Sequence, residues 1–427
     1  MKHTIAFKTL GCRLNQYETD SLVSQFHKAD YQIVDFSDDA DICIVNTCTV
    51  TNKSDQKSRN IINQAGKHNN QLLVVTGCMA NHYQDQLNSQ EQIGYVVPNE
   101  QKSSIFSIVD AHMKGEIPHL NMAGDIFNYQ VAVKSLHTRC MVKIQDGCDN
   151  FCTFCIIPNV RGRAASRSTN AIIENIVKAL ELGYKEIVLT GVNIGRYQYE
   201  SCNFEQVVEK ILEVPGDFRI RISSIEPDGF GDRFFDLLGH PKMCPHLHLC
   251  LQSGSDKVLL RMRRMYNSKD YLSIVEKIKN RYAYFNFTTD VIVGFPGETE
   301  EDFEATSHVI RQVGFSHIHT FPYSIRSDTR AARMPDQISE RIKTQRAKII
   351  RELAENNKLK YRQSFIGRHQ TVLTEKVTQK MAKGYGQHYI PLEITGENLK
   401  ANTFYKIVVT GIANNKERIL EGRVIPL

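Results

Sequence analysis

The chain has 427 residues, 41% of them hydrophobic and 23% charged, which is typical of a globular protein with two or three domains. No run of about 18 apolar residues occurs and the N-terminus leads directly into a strand-like segment, so we expect a cytoplasmic protein without a membrane span or signal peptide. The net charge of +6 indicates a nucleic-acid partner only where it is concentrated.

The first part of the chain alternates apolar runs with polar, helix-like stretches, a pattern typical of an open, mostly parallel α/β sheet. The runs are TIAFKTL (4–10), DICIVN (41–46), LLVVT (72–76) and YVV (95–97). A cysteine follows each of the first three, namely Cys12, Cys48 and Cys78. Because the carboxyl ends of parallel strands meet at one sheet edge, we expect these cysteines to converge as ligands. The alternative is that they are small buried side chains, as free cysteines often are.

Three more cysteines stand close together in GCDNFCTFCIIP, residues 147–158: Cys148, Cys152 and Cys155. A structural zinc ion normally takes four protein ligands, so the trio is either an incomplete zinc site or a cluster site with an open corner. A [4Fe-4S] cluster held by three cysteines leaves one iron free to bind a small molecule. The remaining cysteines match no ligand spacing and are interpreted as ordinary thiols: Cys43, Cys140, Cys202, Cys244 and Cys250.

After a polar connection at residues 114–138, a second series of strands alternates with helices. The candidate strands are RCMVKIQ (139–145), EIVLTG (186–191), RIRISSI (219–225), HLHLCLQ (246–252), FNFTTDVIVG (285–294) and SHIHTFPYS (316–324). Six such units are fewer than the eight of a closed TIM barrel, so the sequence predicts an open, partial (β/α)6 barrel.

The last part of the chain begins with a long charged helix, predicted between residues 335 and 367, and continues with short strands typical of a small β-barrel. From Arg368 onward nine basic residues face five acidic ones, an excess of four positive charges. This excess favours an RNA-binding barrel of the OB type, although it is also compatible with a surface that only aids solubility. We therefore predict three domains, at residues 1–118, 134–362 and 363–427.

Together these features resemble the radical S-adenosylmethionine (SAM) methylthiotransferase family over essentially the whole chain. The strings TLGCRLNQYETD and FPYSIRSDTRAARMP are similar to the branch that acts on N6-threonylcarbamoyladenosine in tRNA. The resemblance implies an N-terminal α/β domain, a radical SAM partial barrel and a C-terminal TRAM-like β-barrel. It also implies conversion of the nucleoside at position 37, next to the anticodon, to its 2-methylthio derivative.

The resemblance assigns a [4Fe-4S] cluster to each cysteine trio. Cys148, Cys152 and Cys155 would hold the cluster whose open iron binds SAM, and Cys12, Cys48 and Cys78 an auxiliary cluster that carries sulfur. The implied partners are the tRNA anticodon stem-loop and an electron donor of flavodoxin or ferredoxin type, with no membrane. Polar groups at strand ends fit contacts with SAM: Gly191, Asn193, Ser224, Glu226, Gln252 and Ser253. Catalytic groups beyond the cluster ligands are not identified.

Two positions depart from the family pattern. Ala165 stands where another arginine is common, near Arg161, Arg163 and Arg167, and Asp328 replaces a glycine in the turn after FPYS. Other functions stay open at this stage. They are methylthiolation of another tRNA adenosine (isopentenyladenosine), methylthiolation of a ribosomal-protein aspartate, and non-catalytic RNA binding with structural zinc.

Overall fold

The structure is a computed structural model that describes residues 2–67, 71–118, 124–132, 138–415 and 417–425. Residues 119–123 and 133–137 of the predicted connection, and Lys416 of the basic C-terminal region, lie outside this range. The chain forms two compact units, one comprising residues 1–182, 190–193 and 324–332, the other residues 183–189, 194–323 and 333–427. No described helix has the length and apolar character that crossing a membrane requires.

The first unit begins with a five-stranded parallel sheet in the order β2-β1-β3-β4-β5. Its strands are β1 (Thr4–Thr9), β2 (Gln32–Val34), β3 (Ile42–Thr47), β4 (Leu72–Gly77) and β5 (Tyr95–Val97). Its helices are α1 (Arg13–Lys28), α2 (Asn52–Ala65), α3 (Cys78–His82), α4 (Gln84–Asn88) and α5 (Ile105–Met113). The open parallel sheet is as predicted, and the short edge strand β2 was missed.

Both faces of this sheet are covered by helices, which explains why its strands are nearly continuous apolar runs rather than alternating ones. Alternate strand residues enter two separate cores, with Ile42 and Ile44 on one side and Cys43 and Val45 on the other. Cys43 is thus a core residue, as expected.

The central part of the chain continues the alternation of strands and helices. Its strands are β6 (Cys140–Lys143), β7 (Gln145–Asp146), β8 (Ala165–Ser166), β9 (Glu186–Thr190), β10 (Gln198–Tyr199), β11 (Cys202–Asn203), β12 (Arg219–Ile222), β13 (Ser224–Ile225), β14 (His246–Leu249), β15 (Asn286–Val293) and β16 (His317–Pro322). Its helices are α6 (Ile157–Arg161), α7 (Thr169–Glu181), α8 (Phe204–Glu213), α9 (Asp232–Leu237), α10 (Asp256–Arg261), α11 (Ser268–Arg281) and α12 (Glu300–Val313).

The main central strands are parallel. In the second unit β9 pairs with β12, and β13, β14, β15 and β16 form a sheet in chain order. The single strand predicted at residues 219–225 is divided at Ser223, because the chain changes its hydrogen-bonding partner there from β9 to β14.

A 24-residue helix, α13 (Glu340–Gln363), leads to a closed five-stranded barrel in the order β17-β18-β19-β21-β20. The strands are β17 (His369–Val377), β18 (Met381–Gly386), β19 (Pro391–Thr395), β20 (Phe404–Ile412) and β21 (Leu420–Val424). This confirms the predicted small β-barrel. Inward-facing aliphatic side chains such as Val372, Ile394 and Ile407 fill its core.

The barrel packs against the amino ends of the central parallel strands in the same unit. Arg219, the first residue of β12, donates a hydrogen bond of 2.9 Å to the carbonyl of Tyr385, and Asn286, the first residue of β15, donates to the carbonyl of His388. The guanidinium of Arg221 lies 4.0 Å from the ring centre of Tyr389. The carboxyl ends of the strands, where α/β folds bind ligands, are at the opposite edge.

Candidate metal centres and cofactor site

The first cysteine trio lies at the carboxyl ends of three neighbouring strands. β3 lies between β1 and β4, and Thr47, its last residue, pairs with Gly77, the last residue of β4. Cys48 follows β3 directly, Cys78 is the first residue of α3, and Cys12 is the N-cap of α1. The structure therefore brings the three cysteines together as the strand order requires, while their role as ligands stays a prediction.

Two glycines allow the chain to approach the sulfur atoms closely. Gly11 has φ +93°, and a β-carbon there would lie 2.7 Å from Cβ and 2.9 Å from Sγ of Cys48. Gly77 has φ +94°, and its β-carbon would lie 2.4 Å from the carbonyl oxygen of Thr47. Both positions combine a left-handed backbone with no room for a side chain, so they require glycine.

Asn15 fixes the backbone around this trio. Its amide nitrogen donates to the carbonyl oxygens of Leu10 (2.8 Å) and Thr47 (2.9 Å), which lie just before two of the cysteine-bearing turns. Asn15 lies in TLGCRLNQYETD, the string on which the family resemblance rests. Its place in the first turn of α1, which directly follows Cys12, was the sequence feature that could have indicated this role.

Burial dominates the chemistry of two of these thiols. Cys48 and Cys78 are 6% and 2% exposed, whereas Cys12 is exposed. Burial raises the pKa of the Cys48 thiol to about 11. It also raises the pKa of Cys78, against the opposing effect of the nearby Arg161 and Lys102 cations. The thiols are thus neutral by themselves, and a bound metal would be needed to hold them as thiolates.

The second trio occupies one loop between β7 and α6. Gly147 opens the loop with φ +66°, and a β-carbon there would lie 2.0 Å from the carbonyl oxygen of Arg163. The backbone N–H of Cys148 donates to the carbonyl of Gly162 (3.2 Å), and that of Cys155 donates to the carbonyl of Cys152 (3.0 Å). The loop therefore curls back on itself and closes against the chain that follows α6.

The two trios adjoin within the first unit. Cys78 packs with Ile156 and Val160, on and beside the short helix that follows Cys155. Asn99 donates a 2.8 Å hydrogen bond to the carbonyl of Val160, and its nitrogen lies 4.0 Å from the sulfur of Cys78. One layer of side chains thus connects the two sites.

A buried network of charges lies beside both trios. The Glu18 carboxylate contacts Lys102 (2.6 Å), Lys143 (3.0 Å) and Arg161 (3.1 Å), and the Asp146 carboxylate contacts Lys143 (2.5 Å) and Arg161 (3.0 Å). These side chains are at most 5% exposed. Three cations against two carboxylates leave one excess positive charge next to a site that would hold an anionic, thiolate-ligated cluster.

The network also sets the ionisation of its acids. Burial opposes the charged form of Glu18, but Arg161, Lys102 and Lys143 together hold its pKa well below the usual range. The pKa of Asp146 is likewise lowered by Arg161 and Lys143 against the effect of burial. Both groups are therefore carboxylates at neutral pH.

Among the predicted cofactor residues, Asn193 has a buried side chain whose polar atoms are available to a ligand. It is 3% exposed, and among the described residues neither polar atom of its side-chain amide has a hydrogen-bond partner. Its backbone N–H and that of Val192 donate to Oε1 of Gln145 (2.7 and 3.0 Å). The Gln145 amide donates in turn to the carbonyl of Gly147 (2.8 Å), directly before Cys148. Gln145, which sequence reasoning missed, therefore ties the Gly191–Asn193 turn to the second trio.

Gly191 belongs to the same turn as Asn193, and the remaining predicted cofactor residues lie in the second unit. Glu226 pairs with Arg264 at 2.8 Å, and burial raises the pKa of its carboxyl although Arg264 opposes the effect. Gln252 adopts φ +62°, uncommon for a residue with a side chain, and pairs with Val291 of β15. Ser224 is exposed, whereas Ser253 is 1% exposed and its hydroxyl lies 3.2 Å from that of Thr306 on α12. The Ser253 hydroxyl is thus engaged by the protein itself.

The arginine cluster behind the second trio divides by role. Arg161 is buried among carboxylates and Arg167 is also buried, whereas the side chain of Arg163 is 76% exposed and pairs with Asp149. Asp328, the residue that departs from the family pattern, lies 3.1 Å from Nε2 of His82.

The arrangement of donors fits iron–sulfur clusters better than a single zinc ion. Each trio supplies three cysteines, one fewer than the four protein ligands that a structural zinc ion normally takes. A [4Fe-4S] cluster held by three cysteines keeps one iron open, so the number of donors in each trio suits such a cluster.

Two family models match the chain. One is "Uncharacterized protein family UPF0004", over residues 4–97, and the other is the radical SAM superfamily, over residues 142–310. The first model covers the sheet that carries the first trio, here called the dispersed trio (Cys12, Cys48 and Cys78). The second model begins just before the loop that carries the second trio, here called the loop trio (Cys148, Cys152 and Cys155).

Similar proteins cover nearly the whole chain. "Threonylcarbamoyladenosine tRNA methylthiotransferase MtaB" of Bacillus subtilis (strain 168) is 36% identical over 92% of this chain and 90% of its own length. The protein of that name from Thermotoga maritima is 33% identical over 99% of both chains. The "tRNA-2-methylthio-N(6)-dimethylallyladenosine synthase" of Endomicrobium trichonymphae is 32% identical over 88% of this chain and 90% of its own.

Solved structures share the fold at low sequence identity. The radical SAM methyltransferase TsrM from Kitasatospora setae superposes with a TM-score of 0.53 at 14% identity, over 78% of this chain and 75% of that chain. The cobalamin-dependent radical SAM enzyme OxsB gives a TM-score of 0.52 at 11% identity, over 83% and 56% of the two chains. The predicted radical SAM fold of the central region is thereby confirmed.

Proposed function

The chain belongs to the threonylcarbamoyladenosine branch of the radical SAM tRNA methylthiotransferases, and we propose that it converts N6-threonylcarbamoyladenosine at position 37 of tRNA into its 2-methylthio derivative. The observation that carries this proposal is the pair of three-cysteine sites in one unit, in a chain similar along its whole length to proteins named for this reaction. The enzyme is a sulfur-group transferase that uses SAM and [4Fe-4S] clusters.

We propose that each trio holds one cluster: Cys148, Cys152 and Cys155 that of the radical SAM site, and Cys12, Cys48 and Cys78 the auxiliary one. When bound, these groups and SAM supply a radical able to remove hydrogen from an unactivated carbon, together with the methylthio group that replaces it. The protein's own contribution is to hold the two sites side by side and to fix the backbone that carries their cysteines.

Specific side chains perform this positioning. The unsatisfied side-chain amide of Asn193 offers an amino group that donates and a carbonyl oxygen that accepts, which suits the carboxylate and amino groups of SAM. Gln145 holds the Asn193 turn at the mouth of the second trio. The excess positive charge of the buried network, carried by Arg161 and Lys102 near Cys78, stabilises the anionic auxiliary site.

The tRNA partner is matched by a basic patch on the C-terminal barrel, which we define as Lys376, Lys380 and Lys383 of the β17–β18 hairpin. All three are exposed, and Lys376 and Lys383 pair directly across the two strands. Like charges at such a position repel each other, although Glu393 lies 3.5 Å from Lys383, and a bound phosphate would reduce that repulsion. We propose that this patch binds the anticodon stem-loop. A base near the anticodon is already single-stranded, so moving it out of its stack into the active site costs little free energy.

The basic patch can be tested in the full-length protein. We expect Lys376→Glu combined with Lys383→Glu to weaken tRNA binding at least tenfold and to lower the slope of log affinity against log salt by about two. A control with Lys210→Glu and Lys277→Glu changes two exposed lysines on helices of the same unit by the same charge. If the two double variants bound tRNA with equal affinity, the basic patch would not be the tRNA-binding surface.

Reduction of the cluster requires an external donor, and we propose one of flavodoxin or ferredoxin type. Because the proposed substrate is tRNA, we also propose that the enzyme works in the cytoplasm.

The experiment that decides the function is mass spectrometry of tRNA nucleosides from cells that lack the gene. We expect the 2-methylthio derivative of N6-threonylcarbamoyladenosine to disappear and to return with the wild-type gene or with Cys202→Ala, a cysteine outside both trios. Cys152→Ala should not restore it. Loss of the 2-methylthio form of isopentenyladenosine instead would assign the substrate of the synthase-type relatives. An unchanged nucleoside profile, with a modified ribosomal aspartate lost, would assign a protein substrate.

A further inference from the structure

We propose that His248, Asp290 and His319 form a binding site for one divalent transition-metal ion, using none of the cysteines. These residues lie on β14, β15 and β16 of the second unit, and neither the sequence motifs nor the relatives' names assign them a role. A site of two histidines and one carboxylate is a donor set that zinc and ferrous iron accept, with coordination positions left open.

The strand register places the three side chains on one face of the sheet. Asp290 pairs directly with His319, and His248 pairs with Thr288, which is two residues before Asp290. Paired residues and residues two apart along a strand point to the same side. The convergence therefore follows from the backbone and does not depend on one choice of rotamer.

The distances already approach those of a metal site. Nε2 of His248 lies 3.2 Å from Oδ1 of Asp290, and one ligand atom from each of the three residues lies within 4.8 Å of the others. A tetrahedral ion with ligands at about 2.1 Å would space them about 3.4 Å apart. His319 is exposed, so a small rotation of its side chain can close the remaining gap.

The surroundings orient His248 as a ligand. The Thr288 hydroxyl lies 3.0 Å from Nδ1 of His248 and 3.0 Å from Nε2 of His246. A hydroxyl accepts from one imidazole and donates its proton to the other. When Nδ1 of His248 is the donor, its Nε2 carries the lone pair that faces Asp290. Metal-binding histidines are typically oriented by such a hydrogen bond on the other ring nitrogen.

The competing explanation is a purely structural hydrogen bond between His248 and Asp290. His319 also has a contact of this kind, since its Nδ1 lies 3.3 Å from Nε2 of His317. Neither hydrogen bond explains why the imidazoles of His248 and His319 converge on one carboxylate at the open side of the group. His319 and the neighbouring Phe321 are both exposed, the latter at 42%, so an ion and a further oxygen ligand can reach the site.

The test uses the full-length protein with its clusters in place. The protein is equilibrated with Zn²⁺, separated from free metal, and analysed for zinc and iron per chain. We expect about one zinc per chain, and X-ray absorption at the zinc edge should show nitrogen and oxygen ligands at about 2.0–2.1 Å. Zinc on the cluster cysteines would instead show sulfur at about 2.3 Å.

Three variants and one control make the assignment specific. Asp290→Asn and His319→Asn should each lose the bound zinc, and Thr288→Val should weaken its binding about 10–100-fold. His308→Asn, on the exposed side of α12, should bind zinc as the wild type does. Unchanged iron content in every variant shows that the fold and the clusters are intact. The proposal is overturned if the wild type retains no zinc, if its zinc has only sulfur ligands, or if both ligand variants keep the full amount.

Discussion

The two cysteine trios of this protein are assembled in different ways. Cys148, Cys152 and Cys155 stand within eight residues of one loop, so their proximity follows from local chain geometry. In the dispersed trio, Cys48 follows Cys12 by 36 residues and Cys78 follows Cys48 by 30. These cysteines meet only because β1, β3 and β4 are adjacent and parallel. The first kind of site is encoded by spacing, and the second by sheet order and register.

The largest effect is expected at the loop trio. We expect Cys152→Ala to abolish reductive cleavage of SAM, because losing one of three thiolates removes the cluster that delivers the electron. The assay is formation of 5'-deoxyadenosine under anaerobic conditions, with Cys202→Ala as the control. Cleavage at the wild-type rate would show that this trio is not the electron-delivering site.

The dispersed trio should behave differently. We expect Cys78→Ala to lower the iron content by about half and to abolish the methylthio product, while some SAM cleavage survives. Iron analysis and nucleoside mass spectrometry of the same preparation measure both effects. Normal product formation would return Cys78 to the role of a small buried side chain, the alternative that the sequence left open.

The buried network beside both trios should contribute most to stability. Removing one partner of a buried ion pair costs about 3–5 kcal/mol, so we expect Glu18→Gln to lower the free energy of unfolding by about that amount. Glu181→Gln, which breaks the exposed pair with Lys178, should change it by less than about 1 kcal/mol. Denaturant titration of both variants checks the difference, and similar values would mean that the network adds little.

The same network predicts a pH dependence. The pKa of Glu18 and that of Asp146 are lower in the folded protein than in the unfolded chain, so the unfolded chain takes up protons first as pH falls. Their stabilising effect is complete above the ordinary carboxyl pKa of about 4 and is lost as pH decreases below it. We expect Glu18→Gln to show a flatter acid dependence than the wild type.

The smallest effect should come from the backbone at the dispersed trio. We expect Gly11→Ala to cost about 1–2 kcal/mol from the left-handed backbone and, in addition, to displace Cys48 and reduce the iron of that site alone. Gly183→Ala is the matched control, because Gly183 also has positive φ but would place its β-carbon in open space. If both variants lost iron, or if neither did, Gly11 would have no specific role in holding the dispersed trio.

Sequence reasoning was most successful where the signal is local. The strand β3 and the helix α13 lie where their apolar and charged patterns indicated, and Cys48 and Cys78 follow their strands directly. It failed where the partner changes along a strand, as at Ser223, because periodicity does not report which neighbour a strand pairs with. The edge strand β2 was missed because it begins with the exposed Gln32 and none of its three residues is fully buried, so it forms no apolar run.

The sequence by itself determined the order of the elements, the loop trio and the short strands of the C-terminal region, because each depends on residues close together in the chain. Closure of the barrel required the pairing of β17 with β20, where His369 lies opposite Val408. Tertiary structure alone decided the rest. Arg161 meets Glu18 across 143 residues, and Asp290 meets both His248 and His319. These contacts depend on the register between strands and on which helix packs on which edge, and both are settled by burial and hydrogen bonding of the whole fold rather than by any local pattern.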